Sequence, residues 1–195
     1  MESCFTLGNY TPTCEDIKQL GGVKARFWIG QKPDLASITY SVGGSVQAIT
    51  LKVGKFLSIY EGQEFKNTAG WELVPNETRN TFTHNVTGIL FYNTENGYDA
   101  IQNLLINDKL FILIETNNGK IKTYGIDRNP ANDADLGTYR GLNISAGSQS
   151  EGTVFADTTG VTFTATGEMF NMPMFFEGTG GSLEEAIQQL NSLTD

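Results

Sequence analysis

Histidine occurs once in 195 residues, cysteine twice and proline five times. A lone histidine, His84, means that any Ser-His-Asp relay or imidazole acid/base scheme must run through one position. No G-x-S-x-G elbow accompanies it, and it stands between Thr83 and Asn85 in an alternating segment. A structural or solvent-exposed histidine is the expectation. Cys4 and Cys14 lack the C-x-x-C spacing of zinc and redox motifs. They read as two small apolar residues in a reducing compartment in preference to a disulfide. One histidine and two unpaired cysteines supply no transition-metal set. Neither a Walker A loop nor G-x-G-x-x-G occurs, so no cofactor is expected. Residues 127–135, DRNPANDAD, offer Asp127, Asn129, Asn132, Asp133 and Asp135 as oxygen ligands for calcium. Ala131 and Asn132 stand where an EF-hand loop requires Asp or Asn and then Gly, so the segment reads as a polar, turn-rich loop. Nothing singles out a carboxylate pair for glycoside hydrolysis. The chain is therefore expected not to be an enzyme.

Long apolar runs are missing too. No stretch approaches the ~20 residues of a membrane helix. The first ten residues have neither a basic start nor an apolar h-region, so no secretory signal is expected and the chain reads as soluble. The sequons at Asn9, Asn76, Asn85 and Asn143 are then chance products of an Asn-rich chain. Basic residues are absent from one end. All thirteen Lys and Arg lie in residues 1–140 with fifteen acids, a balance of −2. Residues 141–195 carry seven acids and no base, a balance of −7, which completes the net −9. Such an end does not bind nucleic acid by phosphate neutralisation; it serves solubility or repels.

What is present favours strands. Twenty-two glycines, twelve Phe and seven Tyr beside so few prolines fit many short strands joined by turns, a mainly β sandwich or barrel. A chain of this length buries ~70% of its unfolded surface and needs no staple. Apolar alternation places strands at 23–29, 46–53, 56–60, 79–92, 161–168 and 172–177, with polar loops at 61–78 and 127–153. Ala100-Ile101 and Leu104-Leu105 mark an amphipathic helix over 98–108, following a stop at Asn96-Gly97. The segment 110–114 reads as a buried strand, Asn118-Gly119 as a type I′ turn, and 120–126 as the returning strand, which sets Glu115 opposite Lys122. After GTGG, Ser182 and Glu185 form a capping box before a stripe of Leu183, Ala186, Ile187, Leu190 and Leu193. That helix packs on its own domain or, swinging on the glycines, on a neighbouring subunit. Residues 1–177 thus form the main domain and 178–195 a hinge and helix. Trp28 and Trp71 read equally as sugar-stacking platforms and as core or interface anchors.

The order GGVKARFWI, TFTHNVTGILFY, IQNLLINDKLFILIETNNGKIKTYGI and GLNISAGSQSEGTVFADTTGVTFTATGEM resembles the tail-tube-like virion structural proteins of phages infecting Bacteroidota. The resemblance covers most of residues 1–177 and contains no catalytic motif. It implies a β-sandwich or barrel of tail-tube type with one packed helix, homo-oligomeric and commonly hexameric rings, and stacking into a tube that conducts the genome. The implied partners are further copies of this chain and other tail or connector proteins, in a virion assembled in the host cytoplasm. DNA would pass without specific binding. On that resemblance, loop 61–78 with Trp71 is the stacking arm. Asn118 and Gly119 at the hairpin tip, and Leu183, Ile187 and Leu190 on the terminal helix, are the other inter-subunit candidates. Glu151, Asp157 and Glu168 are the candidates for an acidic lumen. The terminal helix departs from the pattern, which leaves a ring, connector or tail-completion protein of the same fold as an alternative. A carbohydrate- or surface-binding β-sandwich module is the alternative of another class.

Overall fold

The computed structural model describes residues 22–63, 66–77, 80–91, 95–128, 140–150 and 160–194. Among them the chain forms β1 (Val23–Gln31), a 3-10 turn (Lys32–Asp34), β2 (Leu35–Tyr40), β3 (Val46–Leu51), β4 (Ser58–Glu61), β5 (Thr68–Val74) and β6 (Thr81–Leu90). Then follow α1 (Glu95–Ile106), β7 (Leu110–Thr116), β8 (Ile121–Tyr124), β9 (Asn143–Ser150), β10 (Gly160–Met169), β11 (Met174–Phe176) and α2 (Leu183–Asn191). Seven strands form one sheet, in the order β2-β3-β11-β8-β7-β1-β4; four form another, β5-β6-β10-β9. The fold is mainly β, as expected. The barrel half of that expectation is corrected, because neither sheet closes on itself among the described residues.

The centre of the large sheet is buried on both faces. Along β1 and β7, alternate side chains enter two separate cores. Phe27, Ile29, Ile112 and Ile114 meet Val86, Leu90, Val161, Phe163 and Ala165 of the small sheet, with Ile101 and Leu104 of α1 closing the side. Trp28, Phe111 and Leu113 point the other way, toward Ile49, Leu57, Ile121, Phe176 and the α2 residues Ala186 and Leu190. The layers run small sheet, large sheet, terminal helix. That arrangement is why 110–114 reads as a continuous apolar run.

The helix α2 is fixed by matched local and distant contacts. Ser182 Oγ accepts from the Glu185 amide at 3.3 Å and donates to Glu185 Oε2 at 2.7 Å. Trp28 Nε1 donates to Asn191 Oδ1 at 3.0 Å, and the Leu57 amide donates to the Leu193 carbonyl at 2.9 Å. Of the two packings open in the sequence, the structure has the helix on its own domain, with Leu190 fully buried there.

Four readings are corrected. The supposed loop 61–78 contains β5, and the supposed loop 127–153 contains β9. Both are edge strands, where burial does not enforce an apolar alternation. Asn96 and Gly97 do not stop the chain; they lie in the first turn of α1. The β7–β8 hairpin is not a type I′ turn. Gly119 alone takes positive φ (66°), while Asn118 does not. The Gly119 amide donates to the Thr116 carbonyl at 3.0 Å and the Thr116 amide to the Lys120 carbonyl at 2.7 Å, a three-residue loop with a glycine bulge. The Thr116 hydroxyl secures it by donating to the same Lys120 carbonyl at 3.0 Å. Register therefore shifts by one, so Glu115 lies opposite Ile121 and Lys122 opposite Ile114. Glu115 finds its cation on the other neighbour, Lys24 Nζ, at 2.5 Å.

Close approach of the two sheets depends on Gly88. A Cβ there would lie 2.6 Å from Phe163 and 2.8 Å from Phe27. Those two rings meet edge to face at 5.7 Å, joining β10 to β1. Gly88→Ala is expected to destabilise the fold by about 1–3 kcal/mol through overpacking, read as a lowered urea midpoint. An unchanged midpoint would show that the sheets separate without cost.

Candidate assembly surface

The small sheet presents two chemically different faces. Its inner face carries His84, Val86 and Leu90 of β6 with Val161, Phe163 and Ala165 of β10, all buried. Its outer face is built in cross-strand rows: Glu72–Thr83–Glu168, Gly70–Asn85–Thr166–Asn143, Thr68–Thr87–Thr164–Ala146, and Ile89–Thr162–Ser148. Threonine suits such positions because its branched Cβ fits the pleat while its hydroxyl satisfies neighbours. Thr87 Oγ1 and Thr164 Oγ1 stand 3.1 Å apart in a hydrogen bond, and Thr81 Oγ1 donates to Glu168 Oε1. No Lys or Arg occurs anywhere in β5, β6, β9 or β10. The face is hydroxyl-rich, with two exposed carboxylates, Glu72 and Glu168.

Both edges of this sheet are open among the described residues. At one, β5 places Ala69, Trp71 and Leu73 opposite Val86, His84 and Phe82, hence on the inner side. Ala69 reaches the core. Trp71 and Leu73 project past it and remain 42% and 48% exposed, the Trp71 ring meeting Phe82 edge to face at 5.4 Å. Trp71 is thus an edge-strand residue, not the tip of a loop. At the opposite edge, β9 runs beside α1. Tyr98, Ile101 and Leu105 face Gly147 and Val161 across a cleft of about 270 Å³. Sequence reasoning found the α1 stripe but not this cleft, because β9 carries no apolar pattern.

The other predicted positions do not join Trp71. Asn118 is exposed and Gly119 half-buried at the hairpin tip, where a Cβ on Gly119 would lie 3.4 Å from Leu183. Leu183 and Ile187 are half-buried and Leu190 is buried, all on the large sheet's far side. That group supports α2 packing. Glu168 lies on the outer face of the small sheet. Glu151, Asp157, Cys4, Cys14 and residues 129–135 lie outside the described residues. Asp127 is buried and accepts from the Phe170 amide at 2.6 Å, with Arg140 Nε 3.9 Å away. No cluster of metal-ligating side chains occurs among the described residues. Trp28 is buried and offers no platform to a sugar.

His84 is structural, and the solvent-exposed alternative is excluded by its full burial. Nδ1 accepts from the Gly125 amide at 3.2 Å, so the proton is on Nε2, which donates to the Asn171 carbonyl at 2.8 Å. The ring also meets Tyr124 edge to face at 5.7 Å. One neutral imidazole therefore ties β6 to β8 and to the turn after β10. Burial lowers its pKa to about 4, against a smaller opposing effect of the Asn171 bond; burial likewise pushes the Tyr124 phenol up to about 12.

No family model, curated protein or solved structure matches this chain.

The sign of the His84 effect follows from its neutral folded form. Unfolded, it titrates near 6.5, so its contribution is complete above that pH and is lost as pH falls toward about 4. The full loss is about 3 kcal/mol. Urea unfolding at intervals from pH 7 to pH 4 is expected to give a steeper decline for the native chain than for His84→Gln. Parallel declines would contradict the assignment.

Proposed function

We propose that the protein is a structural subunit of a phage virion, forming homo-oligomeric rings that stack into a tail tube, with the outer face of the small sheet lining the passage. The observation that carries this reading is a four-stranded sheet whose strands hold no Lys or Arg, with a hydroxyl-rich outer face that Lys109 and Arg140 flank only at the Asn143–Glu168 end, and with both edges unpaired among the described residues. The resemblance of GGVKARFWI, the NNGK hairpin and the closing TFTATGEM to tail-tube-like proteins supports the same direction. A conduit for DNA must not hold it. Each lysine or arginine on a wall would add a phosphate contact and a counterion-release gain. A wall of threonine hydroxyls, hydrated and flanked by Glu72 and Glu168, offers no such contact. Open edges allow sheets of adjacent subunits to continue one another. A ring, connector or tail-completion protein would use the same surfaces and differ in how many rings stack. No helix among the described residues is long and apolar enough to cross a membrane.

Mass photometry and negative-stain microscopy of the purified chain at micromolar concentration are expected to give rings or short tubes. A persistent monomer whose retention on a glycan array depends on Trp71 would replace this reading with a carbohydrate-binding module. The wall is tested separately. Assembled native protein is expected not to retain duplex DNA at about 0.15 M salt, whereas Thr83→Lys with Thr164→Lys introduces binding that weakens steeply as salt rises. Salt-sensitive DNA binding by the native assembly would sink the conduit.

A further inference from the structure

We infer that the two edges of the small sheet, unpaired among the described residues, are the two halves of one head-to-tail contact, in which Trp71 of one copy enters the α1–β9 cleft of the next, opposite Gly147. This rests on the ring reading and specifies how its subunits meet.

The sheet order β5-β6-β10-β9 is antiparallel at every step. With four alternating strands, β5 and β9 run oppositely. A copy related by rotation about a ring axis therefore sets its β5 antiparallel to this copy's β9 and keeps the same face inward. The strands have seven and eight residues, so one edge matches the other in length. Neither contains a proline or a basic residue, two of the devices by which exposed edges are blunted.

Trp71 and Leu73 lie on the core side of the sheet, the side on which Gly147 faces Leu105. Residues paired across antiparallel strands share a face, so Trp71 opposite Gly147 points its ring toward α1. Leu105 comes within 3.3 Å of where a Gly147 Cβ would stand, so the strand bears glycine there, and an aromatic ring on a neighbouring strand covers backbone that a glycine leaves exposed. The cleft of about 270 Å³ is lined by Tyr98, Ile101, Leu105 and Val161, the apolar surface an indole needs. Among the described residues, Trp71 is an exposed tryptophan that fills no cavity, and no tryptophan or other aromatic knob from another strand enters the cleft. A two-fold pairing of β5 with β5 would place Trp71 against Trp71 and leave both clefts empty.

The register Trp71–Gly147 sets Glu72 opposite Ala146 on the outer face. In a background with Cys4→Ser and Cys14→Ser, the pair Glu72→Cys and Ala146→Cys is expected to oxidise into a ladder of covalent oligomers. The shifted pair Glu72→Cys and Ser148→Cys should not. Oxidised dimers from Glu72→Cys alone would establish the two-fold contact and overturn the inference. Trp71→Ala removes the knob and Gly147→Val blocks the hole. Each is expected to weaken assembly at least about tenfold, as a central aromatic anchor does. An equimolar mixture of the two should form a one-to-one dimer that grows no further, because one intact knob and one intact hole remain. Should Gly147→Val fail to fold by circular dichroism, Gln102→Arg at the cleft rim takes its place. Rings that assemble with unchanged affinity in Trp71→Ala overturn this contact and leave the ring reading standing. Absence of any oligomer in the native chain overturns both.

Discussion

The double burial of β1 and β7 is the constraint on which the rest of the structure depends. A strand with apolar residues on both faces must be covered twice, and each cover here is a different kind of element. The small sheet takes Phe27, Ile29, Ile112 and Ile114, while α2 takes Trp28, Phe111 and Leu113 with their neighbours. A fully buried aliphatic or aromatic side chain contributes about 1.5–3 kcal/mol. Those seven residues therefore outweigh any surface ion pair, such as Arg26–Glu61, whose exposed partners stand 2.8 Å apart. The terminal helix follows from this constraint. Without α2, the indole N–H of Trp28 would lose its acceptor on Asn191 and one face of the sheet centre would be open.

The same constraint explains why the small sheet has a free face. It needs only one apolar side to cover the large sheet, so its other side is released from packing and can carry any chemistry the pleat accepts. Threonine fills it. Gly88 admits the Phe27–Phe163 pair, and His84 bonds across to Gly125, so the small sheet is held in place along β6. Its outermost strands, β5 and β9, are left as edges among the described residues.

Much of the centre was legible in the sequence, and the margins were not. The run 110–114, the helix over 98–108, the capped terminal helix and the alternation of 161–168 each follow from burial that the pattern records. β5 and β9 escaped because an edge strand is not buried enough to show its period, and β2, LASITY, was too mixed to register. The hairpin register was missed because Asn-Gly suggests a two-residue loop, whereas the Thr116 hydroxyl stabilises a three-residue one. Among site residues, Trp71 could be picked out as an unexplained aromatic, but its strand could not. Gly147 carries no sequence signal at all; its meaning is the approach of Leu105, which exists only once α1 lies on β9.

From composition, repulsion by an acidic end was the natural way to keep a nucleic acid from sticking, with Glu168 among its carriers. On the proposed conduit reading, the missing cations of the small sheet matter more than the added anions. Repulsion between exposed charges fades beyond a Debye length of roughly 8 Å at physiological salt. Attraction through counterion release, by contrast, grows with every phosphate neutralised, and log affinity falls with log salt at about 0.9 per contact. In a symmetric ring a single lysine per subunit is copied around the wall and again at each stacked layer. A conduit is therefore far more sensitive to one basic residue than to the loss of one acidic one. Four strands without a single Lys or Arg, in a chain that places Lys24, Arg26 and Lys122 on the other sheet, would meet that requirement.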